Sequence, residues 1–395
     1  MLKSINNLRL SQWIYCYFQP FSEKAVQRKM LVVGCIILLF GYFNGSIAYV
    51  EQCTLYTYAC DRLRYLICRS KIDWELVSNS YEMWAIRMAN KLAEELNVSV
   101  ALIIDDTLVK KDIRSKKLAV GGKRDKKSGF SFLTGVLVIE HITIPLVPQL
   151  CFRKVFSEDW ELEYVSKVEK ARISLERWIG MGLNVKKSVV IMDSWYSSNA
   201  MINYCQSIPA LKYVLGIKLN RNLDKRPVSK LRHGFRYYKS KKANNKDYDF
   251  FLYLRQGTLK EVKGKVNVLF SKRVNTKTQD ASWRYFVTNI DKELTVLEWV
   301  KTRWQIETFH QIFKYRFKPE NWRVHGVERL THMTILVTMV MGYAVKYFLD
   351  KNVAYKYSME RLLKHNIMSE SLQTFRVILI SNETMIKNFI QQGDS

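Results

Sequence analysis

The alternation of apolar and polar positions divides the chain into strand-forming and helical stretches. Compact runs of β-branched and aliphatic residues end at Ile104 and at Met192, and each has the length of a buried strand. Residues with helical spacing lie between these runs. Strands and helices that alternate along a chain in this way indicate an α/β sheet with parallel members. The predicted strands cover residues 98–104, 130–140, 142–147, 188–192, 211–219 and 283–289.

Helical spacing dominates both ends of the chain and several segments between the strands. An apolar run at residues 30–43 is too short to span a hydrocarbon core of about 30 Å, and it lies too far from the N-terminus for a usual signal sequence. We therefore expect a buried helix there, with a membrane segment as the alternative. Residues 331–341 carry no charge, but His332 and Thr334 favour burial against the sheet over a membrane span. The predicted helices cover residues 55–68, 74–96, 160–181, 199–207, 294–317 and 326–349.

The changes of period along the sequence predict five segments. The first is all-helical, and its basic helices favour a DNA-binding domain. A stretch rich in Lys, Arg and Tyr, with alternating runs, interrupts the α/β core as a β-rich insertion. The segments are a helical N-terminal domain (1–98), the first part of the α/β core (99–219), the β-rich insertion (220–282), the second part of the core (283–349) and a helical C-terminal tail (350–395).

Charge is the feature of composition that most restricts the function. The 395 residues include 63 Lys and Arg against 36 Asp and Glu, a formal charge of +27. Such an excess, spread over most of the chain, favours a polyanionic partner, of which nucleic acid is the commonest. Lys123 and Arg124 lie in a basic, glycine-bearing segment after the first strand, and we expect both to contact DNA.

The cysteines and the overall composition indicate a cytoplasmic globular protein. Seven cysteines at irregular spacings form neither a disulfide framework nor a CxxC metal site. A content of 48% hydrophobic and 25% charged residues is typical of globular proteins. We therefore expect the chain in a reducing cytoplasm, without a membrane as partner.

One stretch, residues 299–317, combines an apolar face with a strip of cations around a single carboxylate. Wound at about 100° per residue, it places Ile306 and three phenylalanines on one side. Arg303, Glu307 and Lys314 fall on another side. One interpretation is an exposed polar face, in which Glu307 pairs with Arg303 one turn earlier and gains a few tenths of a kcal/mol. The other interpretation is a functional carboxylate.

Two further acids follow predicted strands. Asp105 and Asp193 come directly after strand-forming runs, at the edge where the ligands of open α/β sheets gather. Each acid alone has an alternative as a strand-end cap or turn residue. Neighbouring carboxylates repel unless a cation neutralises them, so two Mg²⁺ ions shared with Glu307 explain all three acids together. Two metal ions about 4 Å apart activate and stabilise in-line attack on a phosphodiester.

At these positions the sequence resembles the DDE transposases of bacterial insertion sequences, in the branch with a Tyr-x2-Arg-x3-Glu-x6-Lys signature. Arg303, Glu307 and Lys314 match the spacing of that signature, and Val300 stands at the tyrosine position. An Asp-Asp-Thr after the first strand and an Asp-Ser-Trp-Tyr after the later one also resemble the first and second catalytic aspartates of the family. The resemblance covers residues 99–349.

The resemblance implies an RNase H-like catalytic core, a mixed sheet flanked by helices, that uses Mg²⁺ or Mn²⁺. Carried over to this sequence, it makes Asp105, Asp193 and Glu307 catalytic residues that bind two metal ions. Asp106 competes with Asp105 for the first of these roles. We prefer Asp105 because it continues the predicted strand directly.

The resemblance also implies contacts with DNA at this site. Arg303 and Lys314 are expected to contact DNA phosphates near the cleaved end. Trp195 and Tyr196 either stack on an unpaired or flipped base or pack in the protein core. In the family, a dimer or larger assembly acts on paired element ends. This implies a homodimer of the chain in complex with double-stranded DNA, both element ends and target.

These residues together predict a cut-and-paste DNA transposase. It would hydrolyse DNA at the element ends and join the freed 3′-hydroxyl to target DNA. Two alternatives among DNA-acting proteins stay open, an RNase H-like nuclease without strand transfer and an inactive copy that only binds DNA. A membrane protein is a further alternative, which rests on residues 30–43 and on the helix around Thr331.

Overall fold

The structure is a computed structural model, and it describes residues 59–110, 129–152, 163–232, 234–238, 248–322 and 326–350, with single positions between 17 and 38 and at 154 and 157. The chain forms two compact units, one from Ala85–Thr308 and the other from Met1–Trp84 with Phe309–Ser395. The five segments predicted from the sequence are a different division, and their boundaries stay a prediction. Lys123, Arg124, the tail after residue 350 and most of the apolar run at 30–43 lie outside the described residues.

Helices and strands are labelled in chain order. The helices are α1 (Ala59–Cys68), α2 (Trp74–Glu95), α3 (Lys167–Gly180), α4 (Asn199–Ser207), α5 (Glu293–Thr302), α6 (Trp304–Phe317) and α7 (Val327–Asp350). The strands are β1 (Val100–Lys110), β2 (Gly129–Ile139), β3 (Ile142–Pro145), β4 (Gln149–Cys151), β5 (Ser188–Met192), β6 (Lys212–Gly216), β7 (Asn222–Leu223), β8 (Arg226–Pro227), β9 (Arg236–Tyr238), β10 (Tyr248–Gly257), β11 (Val266–Asn275) and β12 (Ala281–Thr288). Every predicted strand corresponds to one of these strands. The helix predicted from residue 160 begins only at Lys167, since the described residues 163–166 are not helical, and another predicted helix is divided at a junction.

That junction divides the helix predicted from residue 294 to residue 317 into two. α5 ends at Thr302 and α6 begins at Trp304, with Arg303 between them. The amide of Ile306 donates to the carbonyl of Arg303 at 3.2 Å, an i→i−3 bond that tightens the chain at this point. The prediction of one continuous helix was therefore wrong at Arg303, whose side chain extends from the junction.

The first strand was predicted to end at Ile104, and this end was wrong. β1 continues past Ile104 to Lys110, because these later residues pair one by one with β2. Asp105 therefore lies in the middle of a strand rather than directly after one.

One mixed sheet of ten strands forms the centre of the unit Ala85–Thr308, as far as the structure describes it. Its order is β3-β2-β1-β5-β6-β12-β11-β10-β9, and β4 pairs with β2 at one side. β1, β5 and β6 are parallel neighbours, whereas the other pairs in the sheet are antiparallel. Every residue of β2 and β5 is buried, as expected of strands covered on both faces.

Helices flank this sheet. α3 packs against β2, where a Cβ atom at Gly135 would lie only 2.5 Å from the ring of Trp178. Glycine at this position therefore allows the helix to approach closely. α5 packs against β5, β6 and β10. The fold is thus mixed α/β, with a large sheet flanked by helices, and it is consistent with the predicted RNase H-like core.

The predicted β-rich insertion extends the same sheet. β12 pairs with β6, and β11, β10 and β9 follow it outward. β10 and β11 pair over the whole of their length, from Tyr248↔Asn275 to Gly257↔Val266. The insertion and the core therefore share one hydrogen-bonded ladder.

In the unit formed by Met1–Trp84 and Phe309–Ser395, α7 is largely buried. The His332 ring stacks on Trp74 with centroids 4.7 Å apart, and its Nδ1 lies 2.8 Å from the carbonyl of Ile67. Of the apolar run at 30–43, the described positions, which include Leu31 and Leu38, are helical and buried. No helix in the described part of the chain combines the length and hydropathy of a membrane span.

Candidate active site

Asp105 and Asp193 lie at the same level of the two parallel strands at the centre of the sheet. β1 and β5 pair in register up to Ile104 and Met192, the residues directly before the two acids. Neighbouring strands lie about 4.8 Å apart, so this register makes the two acids neighbours. The Asp105 side chain is only 12% exposed. A buried carboxylate therefore has another carboxylate next to it.

Arg303 connects the first of these acids to the third predicted acid. Its Nη1 donates to Asp105 Oδ2 at 2.7 Å, and its Nη2 lies 3.5 Å from Glu307 Oε1. The pair with Glu307 is the one-turn pair that the sequence predicts, whereas the stronger contact is with Asp105 on a distant strand. The guanidinium thus brings a β1 carboxylate and an α6 carboxylate to one cation.

The environment of Asp105 favours its protonated form. Burial raises the pKa of Asp105 to about 7, and the negative charge of Asp193 contributes in the same direction. The amide of Asp106, which donates to Asp105 Oδ1 at 2.8 Å, and the Arg303 guanidinium lower this pKa without cancelling the effect of burial. A second cation at this position would stabilise the ionised carboxylate further.

Asp106 points to the opposite face of the sheet, because successive side chains of a strand alternate. The Tyr196 hydroxyl donates to Asp106 Oδ1 at 2.8 Å, and Lys167 at the start of α3 pairs with Oδ2. These contacts tie α3 and the turn after β5 to β1. Position in the strand does not separate the two acids, since both lie inside β1, but side-chain direction favours Asp105 as the acid beside Asp193.

The turn after β5 holds Asp193 in place. The amide of Trp195 donates to Asp193 Oδ1 at 2.7 Å, and the side chain of Ser198 caps α4. This turn passes close to β6, where a Cβ atom at Gly216 would lie 2.8 Å from the Ser194 nitrogen. Glycine at the end of β6 therefore lets the acid-bearing turn approach the sheet.

Trp195 and Tyr196, the two aromatic residues considered for base stacking, differ in exposure. Trp195 is 53% exposed, and the Lys218 Nζ lies 5.3 Å from the centre of its ring. Tyr196 is fully buried, and its hydroxyl donates to Asp106. Burial and the charge of Asp106 raise the pKa of Tyr196. Its ring therefore packs in the core, the second of the two alternatives that the sequence left open, and contact of Tyr196 with DNA stays a prediction.

The family model described as the transposase DDE domain matches residues 169–342 of the chain. Over these residues the chain is similar to the DDE transposases. The matched residues include Asp193, Arg303, Glu307 and Lys314, and begin after Asp105. No curated protein matches the chain. Among solved structures, it is similar to the piggyBac transposase in a synaptic complex with hairpin DNA, with a TM-score of 0.48 and 11% identity over 94% of this chain and 79% of that one.

Similarity to the transposase DDE domain does not by itself place the chain in one branch of the DDE transposases. Val300 lies on α5, at the position of the signature tyrosine, and Lys314 lies on α6 two turns after Glu307. Lys314 belongs to the unit that begins again at Phe309. The Tyr-Arg-Glu-Lys signature and a bacterial origin therefore stay predictions.

DDE transposases generally use divalent metal ions, and the donor types of this site suit them. Carboxylate oxygens are the ligands that Mg²⁺ and Mn²⁺ prefer. Within the described residues, however, no group of three His, Cys, Asp or Glu side chains is arranged to hold a metal ion. The Arg303 guanidinium contacts Asp105 and Glu307 instead, so a cation already neutralises two of the acids. The carboxylate oxygens of the three residues suit a divalent metal in chemistry and charge, and Arg303 contacts two of these residues in this structure.

Sequence reasoning missed the residues that support the acids. Lys167 gave no signal, because a lysine at the start of a helix is common on protein surfaces. Gly216 gave a weak one, as a glycine at the end of a buried strand often marks the close approach of another backbone.

Proposed function

We propose that this transposase cleaves the ends of a mobile DNA element and joins them to target DNA, with Asp105, Asp193 and Glu307 as the catalytic residues. The arrangement around Arg303 supports the proposal most directly. One guanidinium contacts Asp105 and Glu307, and Asp193 is the neighbour of Asp105 in the sheet. Acids from β1, from the end of β5 and from α6 thus gather near one positive charge.

In this proposal the three carboxylates hold two Mg²⁺ or Mn²⁺ ions. Such ions, when bound, activate the attacking oxygen and stabilise the leaving oxygen of an in-line displacement at phosphorus. Asp105 has to lose the proton that its raised pKa favours before it can serve as a ligand. Arg303 has to leave the carboxylates, and its guanidinium is then free to bind a DNA phosphate through two parallel hydrogen bonds.

Double-stranded DNA is the partner that this charge distribution fits. The chain carries a formal charge of +27, and binding would release counterions from the DNA backbone. Trp195 stands exposed beside Asp193, where its ring can stack on an unpaired base. Lys314, Lys123 and Arg124 are further proposed phosphate contacts, and two copies of the chain are proposed to act on paired element ends.

The substitution Glu307→Gln tests the proposal, because it removes a metal ligand with little change of shape. The variant should bind labelled DNA that carries the element ends as the wild type does. Its cleavage in Mg²⁺, followed on a denaturing gel, should fall by at least about a hundredfold. Glu298→Gln is the matched control, since Glu298 lies exposed on α5 and should change neither binding nor cleavage. Unchanged cleavage by Glu307→Gln would exclude this residue from catalysis.

The second candidate function is that of an inactive transposase copy, which binds DNA but does not cleave it. Arg303 on the acids and Val300 in place of the signature tyrosine are the observations that favour it. Tight, salt-sensitive binding by the wild type without cleavage in Mg²⁺ or Mn²⁺ would identify such a copy. Cleaved ends without joined products would instead indicate an RNase H-like nuclease.

A further inference from the structure

A row of arginines continues from the acids along the same face of the sheet. Residues that pair across neighbouring strands share a face. The registers from β1 through β5, β6 and β12 to β11 place Arg284 and Arg273 on the face that carries Asp105. Arg303 contacts Asp105 on this face from the α5–α6 junction. We call Arg303, Arg284 and Arg273 the arginine row.

Arg284, on β12, is the middle member of this row. Its side chain is exposed, and no carboxylate of the described residues pairs with it. Partial burial of the guanidinium, followed by the positive charges of Arg273 and Arg303, lowers the pKa of Arg284, whereas Tyr248 raises it. The residue therefore interacts with a like charge on each side. Such an arrangement costs free energy unless an anion joins it.

Arg273, on β11, is held in position without an acid. Its Nε donates to the Ser282 Oγ at 2.6 Å, and its guanidinium lies 4.9 Å from the centre of the Tyr248 ring. Among the described residues it too has no carboxylate partner. Arg284 pairs with Ser271, two positions before Arg273, so the two arginines are diagonal neighbours about 7–8 Å apart at their backbones. That spacing lets each arginine bind its own phosphate.

The alternative is a structural role for both arginines. It suits Arg273, which has a hydroxyl and an aromatic ring as partners. It does not suit Arg284, whose described surroundings include no such anchor. Arg284 and Arg273 lie on the same face as the acids, and neither has a carboxylate partner among the described residues. This arrangement suits the binding of a polyanion that runs along the sheet.

We propose that the arginine row binds successive phosphates of the DNA strand that enters the acid site. The proposal rests on the proposed function and deepens it, since it gives the path of the strand over the sheet from β11 to β1. Phosphate binding of this kind positions DNA without regard to sequence.

The test uses the full chain and a labelled duplex of arbitrary sequence, because backbone contacts need no particular end. Affinity is measured as a function of salt for the wild type and for Arg284→Gln. One lost phosphate contact should lower the salt slope by about 0.9 and weaken binding about five- to tenfold near 0.1 M salt. Arg284→Lys keeps the charge and should therefore retain the salt slope of the wild type.

Lys272→Gln is the matched control. Lys272 neighbours Arg273 on β11 but faces the other side of the sheet, where its Nζ lies 5.3 Å from the centre of the Phe251 ring. This variant should keep the affinity and the salt slope of the wild type. An equal loss of DNA affinity in Lys272→Gln would contradict the proposal that the arginine row binds DNA. Wild-type affinity of Arg284→Gln would contradict it as well. Earlier thermal unfolding of Arg284→Gln also overturns it, because that result assigns Arg284 to the fold.

A parallel cleavage assay with element-end DNA and Mg²⁺ separates this proposal from the proposed function. If the wild type cleaves the DNA and Arg284→Gln binds it with wild-type affinity, the proposed role of the arginine row is wrong and the proposed catalytic function is supported. If the wild type does not cut but Arg284→Gln loses affinity and salt slope, the row stands as a DNA-binding surface and the catalytic proposal fails.

Discussion

Arg303 Nη1 lies 2.7 Å from Asp105 Oδ2, although the two residues are 198 positions apart in the chain. The contact joins the α5–α6 junction to the central strand of the sheet. It also places a protein cation on an acid that binds a metal ion in the proposed function. In that proposal Arg303 and the metal ion compete for the same carboxylate oxygen.

This competition predicts that Arg303→Gln binds Mn²⁺ more tightly than the wild type in the absence of DNA. A charge-assisted hydrogen bond contributes about 1.5–3 kcal/mol, so the gain should be about tenfold or more. Calorimetric titration with Mn²⁺ measures it directly. Lys301→Gln serves as the control, since the Lys301 Nζ lies 5.6 Å from the centre of the Phe250 ring, and this variant should leave the affinity unchanged. Weaker Mn²⁺ binding by Arg303→Gln would show that the guanidinium assists the site instead of competing.

The raised pKa of Asp105 predicts a pH dependence of stability. The carboxyl titrates near its ordinary value of 3.8 in the unfolded chain and at about 7 in the folded one. Between these values the folded state binds more protons, so the stability of the metal-free protein should fall as pH rises from about 4 to about 7 and then level off. The contribution is at most about 4 kcal/mol.

Urea unfolding in EDTA at pH 5 and pH 8 measures this difference. Asp105→Asn cannot titrate and should show a smaller difference between the two pH values than the wild type. Equal differences in both proteins would assign the pH dependence to other groups. Mn²⁺ should reverse the loss at pH 8, because a bound cation favours the ionised carboxylate.

The close approach at Gly216 predicts that Gly216→Ala impairs the site. The new methyl group would lie 2.8 Å from the Ser194 nitrogen and 3.2 Å from the Asp193 carbonyl carbon, so the acid-bearing turn has to shift. A displacement of about 1 Å at a reacting group can cost about a hundredfold in rate. DNA cleavage should therefore fall much more than DNA binding. Gly180→Ala, where no atom lies within 4 Å of the new methyl group, should retain both activities.

Substitutions of the neighbouring residues Trp195 and Tyr196 should have opposite effects, one on DNA affinity and the other on stability. Trp195→Ala should weaken binding to DNA with unpaired end bases by about 1–3 kcal/mol and leave stability unchanged, since the ring is exposed. Tyr196→Phe should leave DNA binding unchanged and cost about 1–3 kcal/mol of stability, because Asp106 loses a buried hydrogen bond. Gel-shift assays and thermal unfolding of both variants measure this contrast. A loss of DNA affinity in Tyr196→Phe at unchanged stability would contradict the buried position.

The elements of this fold are visible in the sequence because burial and periodicity are local properties. The strand that ends at Met192 and the helix Asn199–Ser207 have the predicted bounds, since an apolar run and a serine cap mark them. The end of β1 was not predictable in this way. Asp105 and Asp106 interrupt the apolar run, and only the pairing with β2 shows that the strand continues.

The contacts of the site depend on distant pairings and are therefore hidden in the sequence. Glu307 and Arg303 were foreseen as a pair because they lie one turn apart. The shared face of Asp105 and Arg284 depends on the registers of three strand pairs. A slip of one residue in any of them would move Arg284 to the opposite face, so no local pattern predicts it.

The pairings of β11 with β12 and of β12 with β6 join the predicted insertion to the central strands. Deletion of the strands from β9 to β11 would leave β12 as an open sheet edge, whose unpaired amide and carbonyl groups favour association with other chains. Among the described strands β9 is the outermost on this side of the sheet, so an added strand could pair there without changing the inner registers. The hydrogen-bonded strand pairs from β1 to β12 fix the position of Arg284 relative to Asp105. Changes in the outer strands of the sheet therefore need not move these two residues relative to each other.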